Sequence, residues 1–210
     1  MFSFVGFTLA ALVASAFAAP ADTSVQCTQL GRADLKLFPT PRAVNASVPG
    51  TGQLLGLDPV RDVNLHPFLQ AYNGVDEAFD YYSCKSAFMN YSTVQTGYDH
   101  TVYYGHIRSS TNSSNCLGLA DLSGGTIIAA PCSYTDDASQ LNQFWTITQN
   151  TTAPFPLDAK LTGKVWAPQT TAGYYATQTG YLGGNQVVSA QKIDGLNYHT
   201  PYQLTLVAHE

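Results

Sequence analysis

Charge is scarce in this chain: nine lysines and arginines stand against fourteen aspartates and glutamates in 210 residues, a formal net charge of −5. There is no basic cluster. A weakly acidic surface repels phosphate backbones, which argues against nucleic acid as a partner. The usual catalytic signatures are missing too: there is no Gly-x-Ser-x-Gly elbow, no His-Glu-x-x-His, no phosphate loop and no dinucleotide fingerprint. The five histidines, His66, His100, His106, His199 and His209, stand singly without ligand spacing. The acidic pairs Asp76-Glu77 and Asp136-Asp137 fall in predicted loops, where neighbouring carboxylates are solvated rather than opposed across a cleft. No Cys-x-x-Cys spacing occurs, which speaks against zinc and against thiol-redox chemistry. No stretch carries a long helical period with both caps. The expectation is an all-β protein without catalysis, cofactor or metal.

What is present points to export. Met1 to Ala18 is an apolar run ending in Ala16-Phe17-Ala18, a small-x-small cleavage signal ahead of Pro20, and it reads as a signal peptide cut after Ala18. It lacks a basic n-region, since the first positive side chain is Arg32. The rival reading is a membrane anchor of marginal length, and the alanine-rich end and the cleavage signature favour secretion over it. Residues 19–26 form a short mature start with no periodicity. Asn45, Asn90, Asn112 and Asn150 each open an acceptor sequon without proline in the middle. All four cysteines lie beyond the signal, an even number in an oxidising compartment, so two disulfides are expected; three pairings are open. A secreted, extracellular glycoprotein follows, free of the membrane after cleavage.

The remaining signal is alternation and repetition. Aromatic residues make up 12% of the chain, with thirteen tyrosines, a composition that suits half-buried pleated surfaces. Leu35 and Leu37 alternate around Lys36, and Phe79 alternates with Tyr81. Between them Leu54-Leu55-Gly56-Leu57 and Val63 to Tyr72 read as a strand and its return, with Pro67 demoting the second to an edge or a bulge. Landmarks then recur: Gly105-x-Ile107 returns as Gly163-x-Val165, and Gly124-Gly125 returns as Gly183-Gly184. The second glycine of each pair stands twenty residues before Trp145 and Leu204 respectively. Three units, about 27–95, 100–150 and 158–208, cannot bury their apolar faces singly, whereas closing them around an axis can. The physical reading is a closed β-barrel with a hairpin cap. A β-sandwich or a jelly roll also uses many short strands but gives no reason for a threefold repeat.

The stretch from Cys116-Leu117 through Cys132 to Gln143-x-Trp145 resembles one repeat of the ricin-B family of β-trefoil lectins, a match over about a sixth of the chain. The resemblance implies a β-trefoil over 27–210, built from three strand-hairpin-strand repeats. It also implies the pairing Cys116–Cys132 and therefore Cys27–Cys84. Trp145, Phe79, Tyr81 and Leu204 take the inward structural positions. In the family an Asp after the Cys-Leu strand holds a hydroxyl pair, a ring stacks on the sugar's apolar face, and an Asn or Gln near Gln-x-Trp completes the grip. In the second unit Asn142 and Gln143 match, but the Asp position is Gly118 and the stacking position is Ala130. Asp121 substitutes only if the hairpin turns it inward, and it more readily caps the turn. In the first unit Asp58, Gln70, Tyr72 and Asn73 have nearly the family spacing and form the leading candidate. The third unit lacks the Asp and offers only Tyr174, Tyr175, Gln178 and Asn197. The implied function is a secreted lectin-like protein that binds a carbohydrate or glycoprotein without catalysis. The alternative is a trefoil with a protein partner, as an interaction or protease-inhibitor module that has lost sugar binding. A secreted hydrolase ranks last.

Overall fold

Apolar residues at every second position leave this chain one way to bury them, as strands with one face turned inward. A computed structural model describes residues 24–40, 51–61, 64–71, 77–91, 94–122, 124–162, 175–182, 185–192 and 201–209. The expected signal segment 1–18 and the Asn45 sequon lie outside the described residues. Among the described residues fourteen strands are formed: β1 (Gln26–Pro39), β2 (Gln53–Arg61), β3 (Pro67–Ala71), β4 (Ala78–Lys85), β5 (Gln95–Thr96), β6 (His100–Gly105) and β7 (Ile107–Ser109), then β8 (Asn115–Leu119), β9 (Gly124–Pro131), β10 (Trp145–Asn150), β11 (Leu157–Leu161), β12 (Tyr175–Leu182), β13 (Asn185–Lys192) and β14 (Tyr202–Ala208). A short 3₁₀ turn, Ala138–Asn142, precedes β10, and Asp137 caps it by accepting from the Ser139 amide at 2.8 Å.

The strands close, but not as a β-trefoil of three equal repeats. The order β1–β4–β7–β8–β9–β3–β13–β12–β14 returns to β1 through the β1–β14 pairing, a closed antiparallel barrel of nine strands. The physical reason lies in β1. It is 14 residues long, pairing with β4 from Gln26 to Asp34 and with β14 from Ala33 to Pro39. Its would-be counterpart in the second unit, β6, has six residues and pairs instead with β10 and β5, in an arm that joins the ring through β11 and β14. Gly124-Gly125 opens β9 just past the β8–β9 turn, and Gly183 and Gly184 lie outside the described residues; the β8–β9 and β12–β13 hairpins are local pairings that do not determine how the ring closes. All-β architecture and closure stand; the threefold unit does not.

The inward faces meet in one large core. Leu35, Leu37, Leu55, Leu69, Ile107, Leu117, Ile127, Leu206 and the residues Phe79, Tyr81, Trp145 and Leu204 all belong to it. Trp145 is fully buried and donates its indole N–H to the Leu117 carbonyl at 2.8 Å, so its one polar atom is satisfied. A second cluster gathers Val25, Met89, Tyr91, Tyr104 and Phe144, with the Tyr91 and Tyr104 rings stacked at 4.0 Å. Disulfides join Cys27 to Cys84, directly opposed on β1 and β4, and Cys116 to Cys132. Two such bonds suit an oxidising, extracellular setting.

Candidate functional site

Several of the residues singled out by sequence converge on one groove of about 300 Å³, where Gly118, Ala130, Asn142 and Gln143 line a cleft beside Asn64 and His66. Gly118 has no freedom to be anything else. A Cβ there would stand 2.4 Å from the Asn142 carbonyl oxygen, so no aspartate fits at that position. Gln143 is buried and spent internally: its Oε1 accepts from the Ser133 amide at 3.2 Å, and its Nε2 donates to the Ser133 and Ser139 carbonyls, each at 3.4 Å. Asn142 donates to the Leu119 carbonyl at 3.4 Å. Asp121 sits exposed at the hairpin turn, where its carbonyl accepts from Gly124 at 3.2 Å.

The first-unit candidate is enclosed. Asp58 is buried and accepts from Asn185 Nδ2 at 2.9 Å, so its carboxylate ties β2 to the start of β13. Gln70 lies opposite Gly56 on β2 and Val187 on β13, buried, with its Oε1 lacking a hydrogen-bond partner. Tyr72 and Asn73 lie outside the described residues, as do Tyr174 and Asn197. Tyr175 begins β12, and Gln178 donates to Gln191 Oε1 at 2.9 Å across the β12–β13 hairpin. Two loop carboxylates do structural work. Glu77 accepts from the Leu57 amide at 2.8 Å and Ser109 Oγ at 2.9 Å, while Asp136 accepts from the Ala87 and Phe88 amides at 2.8 and 3.2 Å.

A second groove, of about 470 Å³, was not singled out by sequence at all. It lies on the outer face of β1, β14 and β11, between Phe38 on one side and Phe155 with Pro156 on the other. Alternation builds it. Leu35 and Leu37, Leu204 and Leu206, and Leu157 and Ala159 point inward, which turns Phe38, Gln203, Thr205 and Asp158 to the opposite face. Register then aligns them: Phe38 stands opposite Gln203, and Thr205 lies between Lys36 on β1 and Asp158 on β11. Gly52, at φ +79°, lies against the Phe38 ring so closely that a Cβ would come within 2.5 Å of it. Among the described residues the side chains of Asp158, Gln203 and Thr205 have no hydrogen-bond partner. An acceptor, a mixed donor–acceptor amide and a hydroxyl are therefore free at the floor of an aromatic cleft. The outward parity of Phe38 next to Leu37 was the only trace of it in the sequence.

Titratable groups elsewhere are arranged for structure. Cys27, Cys84 and His106 bring potential metal-ligating atoms within 4.8 Å of one another, but both sulfurs are engaged in the disulfide and present no thiolate. His106 is fully buried, and desolvation pushes its pKa down to about 4; the hydrogen bond to Gln140 opposes this and the nearby Arg108 charge adds to it. Gln140 donates from Nε2 to the Ser133 and Thr135 carbonyls, which leaves its Oε1 to accept from His106 Nε2–H at 2.8 Å. The imidazole is neutral and its tautomer fixed. Comparisons of the chain with protein-family models, with curated proteins and with solved structures find no match, and the ricin-B resemblance rests on the Cys116–Ile147 stretch alone.

Proposed function

We propose that this protein is a secreted binder of neutral carbohydrate, without catalysis, and that the sugar sits in the groove between Phe38 and Phe155. The observation that carries this reading is the set of three unpartnered polar side chains, Asp158, Gln203 and Thr205, between two aromatic rings. A pyranose has a C–H face that a phenyl ring covers and hydroxyls that demand acceptors and donors in a fixed plane. The Asp158 carboxylate can accept from two neighbouring hydroxyls, and the Gln203 amide and Thr205 hydroxyl both donate and accept. The Asp158 side chain places like charge against a uronate or sialate, which favours neutral sugars. Among the described residues the groove is lined by a single carboxylate, whereas glycoside hydrolysis uses two facing one another across the scissile bond. Asn90, Asn112 and Asn150 are exposed, so these sequons are open to the glycosylation that secretion entails.

The test is a glycan array probed with the secreted protein and with Asp158→Asn and Phe38→Ala variants. Selective binding to neutral glycans that both variants lose by about tenfold or more supports the site. A blank array from wild-type protein with native β-rich circular dichroism refutes the lectin reading, and undiminished binding by the variants moves the sugar out of this groove.

A further inference from the structure

Arg108 is the one buried cationic side chain among the described residues, with 8% of its surface exposed. It lies at the centre of β7, where Ile107 points into the core and Arg108 points out, opposite Asp80 on β4 and Cys116 on β8. Its guanidinium carbon stands 3.8 Å from the centroid of the Tyr82 ring and 5.3 Å from that of Tyr134. Its Nε is enclosed and unpartnered. The obvious counter-ion is already taken, because both Asp80 oxygens accept from Arg32, at 2.8 and 3.2 Å. Among the described residues Arg108 makes no hydrogen bond and no ion pair.

Burying an isolated charge is costly, and cation–π contact with two rings returns only part of that cost. The arginine is therefore kept at the expense of stability. Its surroundings are built rather than accidental: Tyr134 is held over it by a backbone bond from the Val25 amide at 2.7 Å and by the Gln140 amide, which grips the carbonyls on either side of Tyr134. We propose that Arg108, with Tyr82 and Tyr134, forms a binding site for a ligand carboxylate. A planar carboxylate accepts two parallel N–H bonds from one edge of a guanidinium, a geometry that remains open when rings occupy its faces. The charges facing the site favour a monoanion. Arg32 and Asp80 cancel, His106 is neutral, and Asp136 is committed to the 86–88 turn, leaving one positive charge beside the Asp80 carboxylate. One uncompensated positive charge balances a monoanion and leaves a dianionic phosphate or sulfate half unpaired as it loses water. This site is separate from the neutral-sugar groove and does not rest on it.

The experiment titrates the full secreted protein with sodium acetate, sodium sulfate and sodium chloride at matched ionic strength, following the Arg108 Nε–H resonance by ¹⁵N NMR and the melting temperature. Acetate is expected to move the Arg108 signal saturably, with sulfate about tenfold weaker or more, and the saturable melting-temperature rise is expected to vanish in Arg108→Gln. Should that variant not fold, Tyr134→Ala at the half-exposed rim is expected to weaken acetate binding about threefold or more. An Arg108 signal indifferent to acetate, an acetate effect retained in Arg108→Gln, or an unchanged affinity in Tyr134→Ala overturns the site. Tighter binding of sulfate than of acetate overturns the carboxylate assignment.

Discussion

His106 shows how one side chain sets the acid limit of this fold. Its pKa falls to about 4 because the imidazole is buried against the edge of Phe144, with ring centroids 5.7 Å apart, and beside the Cys27–Cys84 disulfide. In the unfolded chain the same group titrates near the ordinary histidine value of about 6.5, so between these two values the unfolded state binds more protons than the folded one. His106 therefore contributes nothing against unfolding above the upper value and costs about 3 kcal/mol by the time pH reaches the lower one. Urea unfolding of wild type and His106→Gln between pH 7 and pH 4 should show the wild type losing about 3 kcal/mol more than the variant over that interval. Parallel losses would assign the acid sensitivity to other groups. The sequence shows His106 only as a lone histidine in the strand pattern Val102 to Ile107. Its partner Gln140 lies 34 residues away, and no spacing rule links them. Gly118 was more legible as a departure than as a cause: the missing aspartate was visible at once, the Asn142 carbonyl that forbids it was not.

At the scale of strands and links, the two disulfides close loops of very different size, with sequence separations of 57 for Cys27–Cys84 and 16 for Cys116–Cys132. Chain-entropy arguments give the longer loop about 4 kcal/mol and the shorter about 3 kcal/mol. The longer link also holds the outer end of β1 to β4, where β1 has left β14 behind. The Cys27→Ala/Cys84→Ala double variant is therefore expected to be about 1 kcal/mol less stable than Cys116→Ala/Cys132→Ala in urea unfolding, and the reverse order would refute the loop-length account. Hairpins were the elements best read in advance. Alternation flanking Gly124-Gly125 and Gly183-Gly184 is local information, and so is the convergence of Gly118, Ala130, Asn142 and Gln143, all contributed by one stretch of chain. The Phe38–Phe155 groove draws on residues 38, 155–158 and 203–207, and only the pairing of three distant strands aligns them.

Closure of the whole molecule depends on its two ends meeting. β1 and β14 are paired over seven positions, from Ala33 opposite Ala208 to Pro39 opposite Tyr202, and β14 carries the β11 arm on its other edge. Repeated glycine pairs and aromatic landmarks could not reveal this, because a turn determines its own hairpin while a ring is determined by which distant edges find each other. That is the scale at which the trefoil expectation failed. Leu206 is the residue to probe, since it is fully buried and lies opposite both Leu35 on β1 and Leu157 on β11. Leu206→Ala removes core volume at that junction and should cost about 2–5 kcal/mol. In a closed barrel the loss is shared: native-state hydrogen exchange should show the protection of Leu35 and Leu37 on β1 falling by the same free energy as that of Leu204 on β14, because one opening event exposes both. If β14 amides exchanged faster while β1 kept its protection, β14 would be peeling from an independently stable sheet and closure would not be cooperative. The Phe38–Phe155 groove, proposed to hold a sugar, gives the same event a second readout. Its floor spans β1, β14 and β11, so binding through Asp158 and Gln203 should weaken under mild denaturant in step with β1 exchange, and earlier in Leu206→Ala than in wild type.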